Sequence, residues 1–181
     1  MALPNLWTFD VETTLNAPEE LGRAHPMWPD NRVVVLGVKA SKGTTEPFIS
    51  EPKYWADWDS PTTYDFIVGC NMSFDMLYLF KEKPSIKRWL QSNRLWDIQL
   101  VEYLLSGQQS KWMSLDEMCT KYGLPLKDDR IAKEYFDKGL GADKVPRELL
   151  DPYLIRDVEN TEAIALKQME EIGRASCRER V

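Results

Sequence analysis

Histidine and cysteine are scarce in this chain, which has one His and three Cys among 181 residues. Three widely spaced thiols, Cys70, Cys119 and Cys177, form neither a disulfide framework nor a CxxC zinc site, and His25 alone removes most zinc chemistry. Any metal would have to be held by carboxylates, which favours Mg²⁺ or Mn²⁺. Long hydrophobic runs are missing too. No apolar stretch approaches the roughly 20 residues of a membrane span, and the opening MALPNLWTFD lacks the basic flank and apolar core of a secretory signal. These absences predict a soluble, cytoplasmic monomer without membrane contact. Basic residues are outnumbered 23 to 29, a net charge of −6, which runs against a broad nucleic-acid-binding face. What is present is globular in character. With 43% hydrophobic and 11% aromatic residues, a chain of this length can bury roughly 70% of its unfolded surface as one domain.

The composition changes near the end. Residues 172–181, Ile-Gly-Arg-Ala-Ser-Cys-Arg-Glu-Arg-Val, break the acidic character of what precedes them. Read back into codons, they correspond to one frame of a sequencing-library adapter, so they are expected to be a non-native tail. On that reading residues 1–171 form one domain, the first part of a longer protein.

Hydrophobic patterning predicts strands first and helices after. Leu6–Glu12 and Arg32–Lys39 read as strands, and Glu46–Ser50 as a third, hairpin-paired one. The stretch 51–63 reads as an irregular connection or a short helix. Asp65–Cys70 is an apolar run too short for a helix, and it leads through Asn71 into helical spacing over Phe74–Phe80. Further helices are predicted at Leu95–Leu105, Ser114–Tyr122 and Ile131–Lys138. Ser114 and Glu117 form a capping-box signature, and Gly123 is a helix stop. The last helix is predicted to start with Asp151 as cap and Pro152 at its first position. This order argues for a single α/β domain around a mixed sheet.

Candidate chemistry sits on three of these elements. Asp10 and Glu12 lie two apart in a strand, so both project to one face, roughly 6–7 Å apart along the backbone, while Phe9 and Val11 face the other way. Asp75 opens a helix just after an apolar strand, where α/β folds assemble sites. Tyr153 and Asp157, four apart, share one face of the last helix. Each has an ordinary reading by itself: a solvated acidic face, as the second Asp-x-Glu at Asp157 and Glu159 warns, a helix-dipole partner, or a packing Tyr.

Taken in order, Phe-Asp-Val-Glu-Thr-Thr, Gly-Cys-Asn-Met-Ser-Phe-Asp and Tyr-Leu-Ile-Arg-Asp resemble the three motifs of the DnaQ-like, or DEDD, 3′–5′ exonucleases, across residues 6 to about 170. Tyr four before the last Asp resembles the DEDDy branch, which includes the proofreading domains of family A DNA polymerases. The resemblance implies an RNase H-like fold, with a central mixed five-stranded sheet flanked by helices and the first strand in its middle. It implies two Mg²⁺ or Mn²⁺ ions held by Asp10, Glu12, Asp75 and Asp157, with Tyr153 orienting a water. It also implies that Thr13, Leu15, Asn71 and Phe74 line the terminal nucleotides of a single-stranded DNA 3′ end, with a polymerase domain in cis. Lys111, Lys127 and Arg130 are candidates for following the backbone, although such residues are usually solvated surface. The alternatives are an RNase D-like RNA exonuclease and a non-catalytic nucleic-acid-binding module on the same fold.

Overall fold

In the computed structural model, residues 4–41, 46–55 and 64–178 are described. Five strands form one sheet: β1 (Leu6–Thr13), β2 (Val33–Ala40), β3 (Phe48–Ser50), β4 (Phe66–Gly69) and β5 (Leu95–Asp97). Their spatial order is β3-β2-β1-β4-β5, with antiparallel pairing on the β2 side of β1 and parallel pairing on the β4 side. The sheet is therefore mixed and β1 lies in its centre, as expected.

Alternation along β1 separates two cores. Trp7, Phe9 and Val11 pack on one face with Met72, Tyr78 and Leu79 of helix α1 (Met72–Glu82). Leu6 turns to the opposite face and packs with Ile164 and Ala165 of the long helix α6 (Arg147–Arg178). Asp10 and Glu12, in phase with Leu6, share that opposite face. The acidic face is thus covered by a helix, not left to solvent. Next to Leu6 in phase, Thr8 is fully buried.

Four shorter helices complete the layers: α2 (Ile86–Gln91), α3 (Ile98–Leu105), α4 (Leu115–Tyr122) and α5 (Arg130–Glu134). The capping box stands as read. Ser114 Oγ accepts from the Glu117 N–H, Glu117 Oε2 accepts from the Ser114 N–H at 2.8 Å, and Gly123 closes α4 at a φ of 66°. Among the described residues no helix is long and apolar enough to cross a membrane.

Three local expectations are corrected. Leu95–Asp97 belongs not to a helix but to β5, because these residues add to the sheet beside Ile67–Gly69. Helix α5 stops at Glu134, and the expected continuation to Lys138 is instead a single 3₁₀ turn, Phe136–Lys138. Helix α6 starts at Arg147, not at Asp151, so Pro152 lies inside it and Asp151 pairs with Arg147 one turn back at 2.7 Å. Burial explains the earlier start. Leu150 is fully buried with Val145 and Leu154, and the Pro146 carbonyl accepts the N–H groups of Leu149 and Leu150, so the turn before Pro152 is stabilised by packing despite the missing donor. Of the stretch 51–63, Pro52–Tyr54 forms a 3₁₀ turn and residues 56–63 lie outside the described ones. The expected break at Ile172 is not one of helix geometry, since α6 runs on to Arg178.

One residue with no functional signal in the sequence organises the junctions. Asp97, at the end of β5, caps α3 by accepting from the Gln99 N–H at 3.0 Å. Its carboxylate also accepts from the N–H groups of Asn71 and Met72, at 3.1 and 2.8 Å, where β4 turns into α1. A single carboxylate thereby satisfies orphan donors of two helices. Asn71 sits in that turn at a φ of 55°, a left-handed conformation that Asn tolerates better than most residues.

Candidate metal centre

The central strand, the start of α1 and one turn of α6 converge. Carboxylate oxygens of Asp10, Glu12 and Asp157 lie within 4.8 Å of one another, which is the spacing a shared cation requires. Asp157 is 4% exposed and stands one turn beyond Tyr153, which is 8% exposed. Asp75 approaches from the strand end: buried in the first turn of α1, its Oδ1 accepts from the Val11 N–H at 3.1 Å. Asp75 is thus tied to the backbone of β1, and it lies outside the triad that shares the 4.8 Å separation.

The electrostatics are those of a cluster short of positive charge. Burial, and then the charge of Asp157, push Asp10 up to about 7. Burial likewise pushes Asp157 up to about 6, against the lowering effect of Lys127. Glu12 is raised well above the usual carboxylate range by burial and then by Asp10, and so is Asp75. Tyr153 is raised, chiefly by burial, so its hydroxyl keeps its proton at neutral pH.

The triad could hold a metal ion, and one atom is consistent with that fit. Asp157 Oδ1 is buried and has no hydrogen-bond partner, although a desolvated carboxylate oxygen without a donor is costly. It belongs to the carboxylate that faces Asp10 and Glu12. An all-oxygen donor set of this kind is one that hard divalent cations take.

A consequence for stability follows from the raised carboxyls. Between about pH 4 and pH 7 the metal-free native state retains protons that the unfolded chain has released, so this cluster's contribution to stability falls as pH rises through that window. In EDTA, wild type is expected to lose melting temperature between pH 5 and pH 8 more steeply than Asp10→Asn/Asp157→Asn. Mg²⁺ is expected to raise it most at the alkaline end. Parallel melting curves for the two proteins would contradict this origin.

The residues expected to grip substrate are placed unequally. Thr13 is buried at a register shift in the β1–β2 pairing, and Leu15 follows it, half-buried. Asn71 is exposed in the turn between β4 and α1, whereas Phe74 is half-buried and packs edge-on against Tyr78, 5.1 Å between centroids, as part of the α1 core. Of the three basic candidates, Lys111 pairs with Glu117 and Arg130 with Asp128, both on the surface. Lys127 is the exception. Its Nζ lies 2.9 Å from Asp157 Oδ2 and 4.4 Å from the centroid of the Tyr153 ring. A cavity of about 390 Å³ opens beside Lys127 and Tyr153, lined also by Ile131, Tyr135, Leu149 and Arg156.

No protein-family model and no curated protein sequence matches the chain. Among solved structures it is similar to the family B DNA polymerase from the hyperthermophilic archaeon Pyrobaculum calidifontis, with a TM-score of 0.61 and 21% identity. The match covers 93% of this chain and 25% of the polymerase chain, so the chain spans about a quarter of that protein's length. The likeness shows the fold, which is RNase H-like: a central mixed five-stranded sheet flanked by helices.

Proposed function

We propose that this chain is a metal-dependent 3′–5′ exonuclease domain of the DEDDy type, releasing nucleotides from single-stranded DNA ends as the proofreading part of a polymerase in cis, with residues 1–171 as the domain and 172–181 as a non-native tail. The observation that carries it is the triad of Asp10, Glu12 and Asp157, the last with a buried and unpartnered Oδ1, on a fold shared with part of a DNA polymerase. The resemblance to the family A proofreading branch supports the same reading.

Asp10, Glu12 and Asp157 would hold one Mg²⁺ or Mn²⁺, and Asp75 with Asp10 a second. When bound, such ions neutralise the phosphodiester and lower the pKa of water. The chain's own residues do the rest. Tyr153, with its proton retained, orients a water by hydrogen bonding and does not act as its base. In the hydrolysis, the water oxygen bonds to phosphorus, the bond to the 3′ oxygen breaks, and that oxygen takes up a proton. Asn71, Phe74, Leu15 and the Thr13 backbone contact the last nucleotides, where stacking contributes roughly 1–3 kcal/mol per base without sequence readout. Because the chain is acidic, a tethered polymerase that keeps a DNA end at high local concentration offsets weak binding.

The test is digestion of a 5′-labelled single-stranded oligonucleotide with Mg²⁺ or Mn²⁺, comparing wild type, Asp10→Ala/Glu12→Ala and an EDTA control. A metal-dependent ladder that shortens from the 3′ end and is absent in the variant is the expected result. Digestion of RNA in preference to DNA would instead identify an RNase D-like enzyme. A folded wild type that binds the 3′ end without cutting it would identify a binding module.

A further inference from the structure

The run Lys127-Asp-Asp-Arg130 is charged throughout, and three of its four members lie on the solvated surface. Asp128 pairs with Arg130 and Asp129 with Lys133, both over four residues or fewer, and the Arg130 and Lys133 side chains are each 67% exposed. Lys127 departs from this pattern. Its side chain is 18% exposed, and its partner, Asp157, is 30 residues away and 6% exposed in its side chain. An ion pair this buried is not one of the weak surface pairs that cost side-chain entropy for little gain. The segment is also anchored for the purpose. Buried Asn160 donates from Nδ2 to the Pro125 carbonyl at 2.9 Å, so the chain two residues before Lys127 is fixed to the same helix, one turn beyond Asp157.

The geometry divides the Asp157 carboxylate. Oδ2 is taken by Lys127, Oδ1 is left buried and unpartnered, and the carboxylate they belong to has an oxygen within 4.8 Å of Asp10 and Glu12. We propose that Lys127 is a positioning residue of the centre, a resident monovalent cation that fixes Asp157 by one oxygen, presents the other, and weakens divalent-cation binding in the substrate-free state. The proposal rests on reading Asp10, Glu12 and Asp157 as cation ligands. Its electrostatic part is simple. A divalent ion at Oδ1 shares a carboxylate with the ammonium group, and the two positive charges repel at close range. The four acids with Lys127 carry a formal −3, so two divalent ions leave +1, which one phosphodiester neutralises. Lys127 thereby makes full occupancy favourable chiefly when substrate is present.

The experiment is Mn²⁺ binding to the full chain without DNA, followed by electron paramagnetic resonance, in wild type, Lys127→Met, Lys127→Gln and Lys127→Arg, with folding checked by circular dichroism. Removing the charge is expected to tighten Mn²⁺ binding about tenfold, the scale that water-like screening alone would give. The same two neutral variants are expected to lose turnover at saturating Mn²⁺, and Lys127→Arg is expected to retain wild-type Mn²⁺ affinity. A role confined to packing would leave the affinity unchanged or weaken it, so either result in folded neutral variants overturns the proposal. Absence of Mn²⁺ binding by wild type would overturn the cation-ligand reading as well, which separates the two failures.

Discussion

Asp10→Asn is expected to lower 3′-terminal nucleotide release by at least about 1,000-fold, while Tyr153→Phe retains a measurable fraction, with a loss of roughly 10- to 100-fold. Asp10 stands on the central strand and is coupled to each of the other acids: Asp157 raises it, and it raises Glu12 and Asp75 in turn. Asn preserves its size and removes the charge around which the centre is built. Tyr153 is different because most of what it does is packing. Its ring lies edge-on to Phe136, 6.1 Å between centroids, and beneath Lys127 at 4.4 Å, and Phe keeps both contacts. Only the hydroxyl is lost, and burial already prevents that group from serving as a base. Asp75→Ala is also expected to leave almost no turnover, but it removes the acceptor for the Val11 N–H too, so Asp75→Asn is the cleaner comparison. Single-turnover rates on a 5′-labelled oligonucleotide decide the matter, and equal losses in Asp10→Asn and Tyr153→Phe would refute this division of roles.

The second large effect is expected at Gly37, a residue with no chemistry of its own. On β2 it is paired with Asp10, and its missing side chain lets α6 settle onto the sheet. A Cβ there would stand 2.7 Å from Leu154 Cγ and 2.9 Å from Val158 Cγ2, the residues that flank Asp157 on the buried side of α6. Neither contact can be relieved by swinging the end of a flexible side chain, because Leu154 Cγ is a branch point and Val158 is β-branched. The helix must therefore lift, and Asp157 lifts with it, away from Asp10 and Glu12. Gly37→Val is expected to destabilise the fold by about 2–3 kcal/mol, within the range for overpacked cores. It is expected to abolish Mn²⁺ binding under conditions where most of the protein is still folded. Denaturant melts paired with Mn²⁺ titration would show this. A variant that binds Mn²⁺ as wild type does would mean that the separation of the carboxylates does not depend on how closely α6 packs.

Gly37, Asp97 and Lys127 share a property that explains why the first two did not stand out in the sequence and why the third was read there only as a candidate for following the nucleic-acid backbone. Each acts on a partner far along the chain: Gly37 on Leu154 and Val158, Asp97 on Asn71 and Met72, Lys127 on Asp157. A glycine in a β-branched run, an aspartate ahead of an apolar stretch and a lysine in a charged loop are all common, and nothing local separates these from their ordinary counterparts. The same limit accounts for Leu95–Asp97. Its apolar character continues into α3, and only the exposed edge of β4, brought alongside by folding, turns those three residues into a strand.

What the sequence determined by itself is what short-range physics encodes. Period-2 alternation put Asp10 and Glu12 on one face of β1, and a four-residue step put Tyr153 and Asp157 on one face of α6. The reciprocal bonds of Ser114 and Glu117, with Gly123 behind them, marked both ends of α4. The tertiary structure alone decided that these faces meet. It covered the acidic side of β1 with α6, left Asp157 Oδ1 without a donor, and supplied Lys127 as counter-charge. Those outcomes depend on which buried surfaces pack together across 30 to more than 100 residues of chain, and local periodicity carries no record of that.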